Sequence, residues 1–234
     1  MTMTDVLLFG AFPYVAIALF LVVSIMRYRS AAYGVSSLSS QFLESRGLFW
    51  GSVPFHLGIL FLFFGHLIGF LFPRQFQLWN GSPVRLLVIE VASLVAALMF
   101  VVGMGLLVLR RLSSRRLRPV TTPVDWVVYG ILMFLVITGL WVALFLRWGS
   151  AWYVTVAVPY LRSLFAFKPQ IALVAGVPWM VKLHILGAFA LFATFAFTRL
   201  MHVLVAPIPY LWRRPQIVMW NRDRRKARAM EASP

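Results

Sequence analysis

Five stretches of this chain, roughly 6–26, 49–72, 84–109, 124–147 and 183–206, are apolar for more than twenty residues each. A helix rises 1.5 Å per residue, so about 20 such residues match the roughly 30 Å hydrocarbon core of a bilayer. Each stretch is therefore long enough to span one. Composition agrees: 62% of the residues are hydrophobic and only 12% charged, against roughly 45–50% and about 25% in a soluble domain. The expected architecture is an all-α integral membrane bundle of five transmembrane helices. The first stretch has Asp5 ahead of it rather than a basic region, and no small-residue cleavage site follows it. It reads as an uncleaved helix rather than a signal peptide.

The flanking charges predict orientation. Arg27, Arg29 and Arg46 lie between the first two segments, and Arg110, Arg111, Arg115, Arg116 and Arg118 between the third and fourth. Arg213, Arg214, Arg222, Arg224, Arg225, Lys226 and Arg228 follow the fifth. The opposite side carries only Arg74, Arg85, Arg147, Arg162, Lys168 and Lys182. Basic residues collect in the cytoplasm, which puts the N-terminus outside and the C-terminus inside. Residues 1–212 form the membrane domain and 213–234 a basic cytoplasmic tail. Residues 148–182 read as an outer-surface excursion with one interfacial helix, because Pro159 and Arg162 interrupt the apolar run. A sixth span there would export the basic tail. The fourth segment opens with Thr122 as N-cap, Pro123 in the first helical position and Asp125 in the first turn.

Two function classes fall away. The basic residues sit in short membrane flanks, not in a stripe interleaved with aromatics, so no nucleic-acid partner is expected. The chain has no cysteine, which excludes disulfides, cysteine-ligated iron–sulfur clusters and thiolate metal sites.

All four histidines, His56, His66, His184 and His202, fall inside the apolar segments, two on the second and two on the fifth. Ionisable residues at membrane depth usually face the bundle interior and mark a function. The bland alternative is four unrelated core histidines. The second and fifth helices run in opposite directions, so His56 meets His202 towards the cytoplasm and His66 meets His184 towards the outside. At 100° per residue the eighteen-residue step returns to one face, and the ten-residue step stays within about 80° of it. One imidazole from each of two facing helices is how a b-type haem is held, with both axial positions of the iron filled. Electron transfer, not oxygen chemistry, is the natural task of such an iron. A zinc site wants three or four ligands close together. The rises differ, about 15 Å against about 27 Å. Helix tilt, opposed side-chain directions or a ligand near a helix end must absorb the difference.

Gly58, Gly65, Gly69 and Gly187 lie within four residues of a histidine. Each gives a porphyrin room near the backbone; close helix packing is the equally open alternative. Arg111 and Arg199, near the cytoplasmic interface, are candidate partners for haem propionates.

The histidine order, with "SSQFLESRG" (39–47), "FHLGILFLFFGHLIGFL" (55–71), "RRLSSRRLRPVTTPVDW" (110–126) and "KLHILGAFALFATFAFTRLMHVLVAPIPYL" (182–211), resembles the gamma subunit of membrane-bound respiratory nitrate reductase, a dihaem cytochrome b. The likeness runs from about residue 12 to 212. It implies two haem b groups, an outer one on His66 and His184 and an inner one on His56 and His202. It implies quinol oxidation beside the outer haem, with protons released outside. Electrons then pass inward to an iron–sulfur beta subunit and a molybdenum alpha subunit in the cytoplasm. The location implied is the cytoplasmic (inner) membrane, in contact with its lipids. Where the family has a lysine at the quinol site, the nearest match here is Arg85, in "GSPVRLLVIEV" (81–91). Arginine is a fixed fork of donors and not an equivalent replacement. His66, Gly65, Gly69 and Glu90 complete the candidate quinol site. Glu90, an acid at membrane depth, departs from the family. Two rival readings are a similar cytochrome returning electrons to quinone from a nitrite-oxidising molybdenum enzyme, and a haem-free transporter or scaffold.

Overall fold

The computed structural model describes residues 2–31, 46–146 and 149–204. The basic tail 213–234, the motif at 39–45 and Arg147 lie outside the described residues. Among the described residues the chain is helical with no strand. Helix α1 covers residues 3–31, α2 Arg46–Leu71, α3 Pro73–Asn80, α4 Pro83–Ser113, α5 Pro123–Phe145, α6 residues 149–165 and α7 Trp179–Phe195. A short 3-10 turn, Arg199–Val203, follows α7. Four helical runs, Met3–Ser30, Gly47–Leu71, Pro83–Ser113 and Pro123–Phe145, are long and apolar enough to cross a membrane.

The fifth apolar segment departs from the expected single helix over 183–206. Helix α7 starts earlier, at Trp179, and ends at Phe195 after 17 residues. Thr198 is extended (φ −114°, ψ 176°), and its hydroxyl oxygen accepts from the Leu200 amide at 3.1 Å. A helix end leaves carbonyls without partners. Here Arg27 of α1 supplies donors, its Nη1 reaching the carbonyls of Ala196 and Thr198. The apolar pattern runs on through the break, and both a local cap from Thr198 and the distant Arg27 satisfy the groups it exposes.

Two cores organise the helices. Phe9 and Ala16 of α1, Tyr160 and Leu164 of α6, Ile171 and Val174 of the connection between α6 and α7, and Phe189 of α7 form one. Ala97, Phe100 and Met104 of α4 with Val128, Leu132 and Val136 of α5 form the other, against Phe55, Ile59 and Leu62 of α2. Helix α6 is thus more than a surface excursion: Tyr160 is fully buried, and its hydroxyl donates to the Phe9 carbonyl at 2.7 Å. Phe9 lies in a π-helical stretch, Val6–Ala11. Such a stretch bends the normal hydrogen-bond ladder and presents a carbonyl sideways.

Helix α2 packs along α4 more extensively than any other pair. Glycines allow that approach. A methyl group on Gly58 would meet the Ala96 carbonyl oxygen and, at 2.7 Å, the Phe100 amide nitrogen. One on Gly103 would meet the Phe55 amide and, at 2.7 Å, the Gly51 carbonyl oxygen. Gly58 therefore serves helix packing. At α5, Thr122 and Asp125 form a reciprocal capping box, with Pro123 in the first turn.

Candidate functional site

The four imidazoles come together as two pairs. The ring centres of His56 and His202 are 6.5 Å apart, and those of His66 and His184 6.4 Å. His56 precedes His66 on α2 while their partners occur in reverse order, so the two stretches of chain are antiparallel. Along α2 the two levels are about 15 Å apart. The break after Phe195 resolves the mismatch in rise: His202 is carried by the 3-10 turn, off the end of α7.

The Nδ1 atoms define which nitrogen each ring offers. Nδ1 of His56 lies 2.7 Å from the Ser52 carbonyl oxygen, that of His66 2.7 Å from Leu62 O, and that of His202 2.6 Å from Arg199 O. A carbonyl can only accept, so each Nδ1 carries the proton and donates. His184 reaches the same state through a hydroxyl. Thr138 Oγ1 donates to the Phe134 carbonyl (2.8 Å) and to Leu135 O (3.0 Å), leaving its lone pair for His184 Nδ1 at 3.0 Å. Every ring thus has its Nδ1 engaged and offers Nε2 as the candidate ligand atom. This is the usual arrangement of a metal-binding histidine, its far nitrogen tied to an acceptor that fixes tautomer and orientation.

The separations suit one iron between two rings. Metal–imidazole bonds are about 2.0–2.1 Å, so two opposed Nε2 atoms lie about 4 Å apart. Each ring centre sits about 1.1 Å behind its nitrogen, giving a centre-to-centre distance of about 6.3 Å. Both pairs match this, and the donor set fits a bis-histidine haem. Among the described residues no three His, Asp or Glu side chains gather as a metal site. Gly139, absent from the sequence reading, makes room for one ring: a methyl there would sit 3.1 Å from His184 Cε1.

A scan against family models matches residues 5–221 to the nitrate reductase gamma subunit. The chain belongs to that family. The nitrate reductase gamma chain of Bacillus subtilis is 32% identical over 90% of this chain and 96% of its own length. The respiratory nitrate reductase 2 gamma chain of Escherichia coli is 33% identical over 93% and 98%. The nitrate reductase-like protein NarX of Mycobacterium tuberculosis is 34% identical over 90% of this chain but only 33% of its own. A gamma chain is one subunit of a multi-subunit oxidoreductase, and the long apolar helices fit a membrane subunit.

The other candidate residues of this gamma-family chain are placed as follows. Arg85 caps α3: its Nε donates to Trp79 O at 3.0 Å and its Nη2 to Leu78 O at 3.2 Å, with the guanidinium 5.5 Å from the Trp79 ring centre. Glu90 is half-buried on α4 and, among the described residues, makes no ion pair. A methyl on Gly65 would meet nothing within 4 Å, so that flank of His66 is open. A methyl on Gly69 would sit 2.9 Å from the Tyr153 ring, and one on Gly187 2.9 Å from that of Phe134.

Arg111 and Arg199 converge on Asp125. Arg199 is bidentate, Nε to Oδ1 at 2.7 Å and Nη2 to Oδ2 at 3.0 Å, and also donates to Val120 O at 2.8 Å. Arg111 Nη1 is 3.6 Å from Asp125 Oδ2 and donates to Thr121 Oγ1 at 2.9 Å. Its guanidinium also lies over the Tyr129 ring, 5.4 Å from the centre. The sequence reading of Asp125 as a first-turn acid is correct as far as it goes and misses this cluster. It also misses Tyr153, whose ring centre is 5.2 Å from that of His66 and whose hydroxyl donates to His66 O at 2.9 Å. Burial pushes the Tyr153 phenol up to about 12, so it stays a donor at neutral pH. Arg162, read only as an interruption, donates to Phe70 O (2.8 Å) and Leu71 O (3.3 Å) at the end of α2. Such contacts need partners distant in sequence, and no local pattern marks them.

Proposed function

We propose that the chain is the membrane anchor and quinol-oxidising dihaem cytochrome b subunit of a respiratory nitrate reductase. It crosses the cytoplasmic membrane with α1, α2, α4, α5 and α7, N-terminus outside and C-terminus in the cytoplasm. His66 and His184 ligate an outer haem b; His56 and His202 ligate an inner one. When bound, the two haems supply a one-electron relay through the bilayer. The side chains hold and tune that relay. The four Nδ1–H donors fix the ring planes and raise the basicity of Nε2. Arg111 and Arg199 share one carboxylate between two guanidiniums, so their cluster keeps a net positive charge for propionates.

Quinol binds on the outer side near His66, where Gly65 leaves space. Arg85 donates to a quinone oxygen, and the Glu90 carboxylate takes a quinol proton. Electrons leave to an iron–sulfur beta subunit and a molybdenum alpha subunit, where nitrate is reduced.

The observation that carries this reading is the pair of imidazole couples at iron-bridging distance with every Nδ1 turned away to an acceptor, in a chain of the gamma family. Its test is the reduced-minus-oxidised visible spectrum and haem content of the purified complex. Two b haems per gamma chain are expected. Fully assembled complex lacking the b-type bands would end the reading.

A further inference from the structure

We propose that Asp125 is a positioning residue that aims His202 and sets the potential of the haem His56 and His202 would share. This rests on the dihaem reading above. His202 stands on a turn of five residues that follows a break in the chain, and its own helix does not hold it. The Nδ1 donor of His202 ends on the Arg199 carbonyl. The imidazole is therefore only as fixed as the main chain of Arg199. That main chain is anchored by the Arg199 side chain, whose two-pronged bond to Asp125 links the turn to the first turn of α5. A planar fork on a carboxylate defines orientation as well as distance.

Asp125 is itself rigid. Its carboxylate accepts from the Thr122 amide at 2.9 Å, and its side chain is 8% exposed. The second anchor of the break, Arg27, holds Ala196 and Thr198 from the other side. Asp125 and Arg27 thus brace the start of the turn that presents the ligand. The glycines and the apolar faces nearby have no such directional hold on it.

Charge gives the same residue a second effect. Two guanidiniums against one carboxylate leave a single net positive charge beside the His202 turn. Neutralising Asp125 leaves two. A ferric haem carries one more positive charge than a ferrous one, so added positive charge favours reduction. Removing Arg199 acts in the opposite sense. In a poorly polarisable interior such effects are far larger than in water.

The test is potentiometric titration of the purified complex, read at the b-type absorption bands, for Asp125→Asn, Asp125→Glu and Arg199→Gln. Asp125→Asn is expected to raise the reduced-to-oxidised ratio of one haem about tenfold at fixed ambient potential, about 59 mV for one electron. The other haem stays at its parental value. Asp125→Glu stays near the parent, and Arg199→Gln moves the same haem the opposite way. The shifted haem is the one that His202→Ala removes. Where Asp125→Asn fails to retain that haem, Asp125→Glu and Arg199→Gln decide. Parental potentials in both Asp125→Asn and Arg199→Gln overturn the inference, as do equal shifts of both haems or shifts of one sign in the two variants. A parental complex without haem would instead end the dihaem reading itself.

Discussion

Three of the four imidazoles donate to a main-chain carbonyl that no substitution can delete. His184 donates to the Thr138 hydroxyl at 3.0 Å, which makes that contact open to a clean experiment. Thr138→Val keeps the side-chain shape and removes the acceptor. Thr138 is 3% exposed, so water does not replace the lost bond freely, and a buried donor without a partner costs about 1–3 kcal/mol. Removing such a tie from a metal ligand typically weakens metal binding 10–100-fold. We expect the low end of that range, about tenfold, or about 1.4 kcal/mol. The assay is the rate at which the purified complex loses its outer haem to an excess of a haem-scavenging protein. Valine should accelerate that loss about tenfold by this estimate, with serine close to the parent. Equal loss rates for parent and valine would show that the hydroxyl does not orient His184 and would refute the tautomer argument at that position.

Other expectations follow from the same geometry. His66→Ala and His184→Ala should each remove the same haem, and His56→Ala and His202→Ala the other, read as haem stoichiometry and spectrum. Loss of one haem by His66→Ala and His202→Ala together would break the pairing. Arg85→Ala should raise the KM for quinol several-fold, by our rough estimate from the loss of a charged donor, while both haems remain; unchanged turnover at limiting quinol would remove Arg85 from the site. Gly103→Leu should cost more than the roughly 1–3 kcal/mol of ordinary overpacking, because the added carbon meets Phe55 and Gly51 backbone rather than a movable side chain. Its readout is the amount of chain reaching the membrane, and normal accumulation would contradict the α2–α4 packing.

Much of the helical architecture is legible in the apolar runs, because segment length is a local property. The proximity of His56 to His202 and of His66 to His184 also follows from spacing, since two antiparallel helices with two histidines each have few ways to align them. The end of α7 is different. Residues 196–198 carry little sign of a break beyond Thr198, and the contacts that hold it come from Arg27, far away in the chain, and Asp125, on another helix. Gly58 has the signature of a porphyrin clearance and instead serves backbone contact with α4. Gly139 and Thr138 carry no signal at all, because their roles depend on which ring another helix brings beside them.

The break after Phe195 also separates what each couple depends on. The couple at His66 and His184 needs α2, α5 and α7 docked, since its two rings and the acceptors of their Nδ1 donors lie on those three. The couple at His56 and His202 needs α1 as well, through Arg27. Under the function proposed above, loss of the Arg27 contact therefore disturbs the His56–His202 couple and leaves the His66–His184 couple in place.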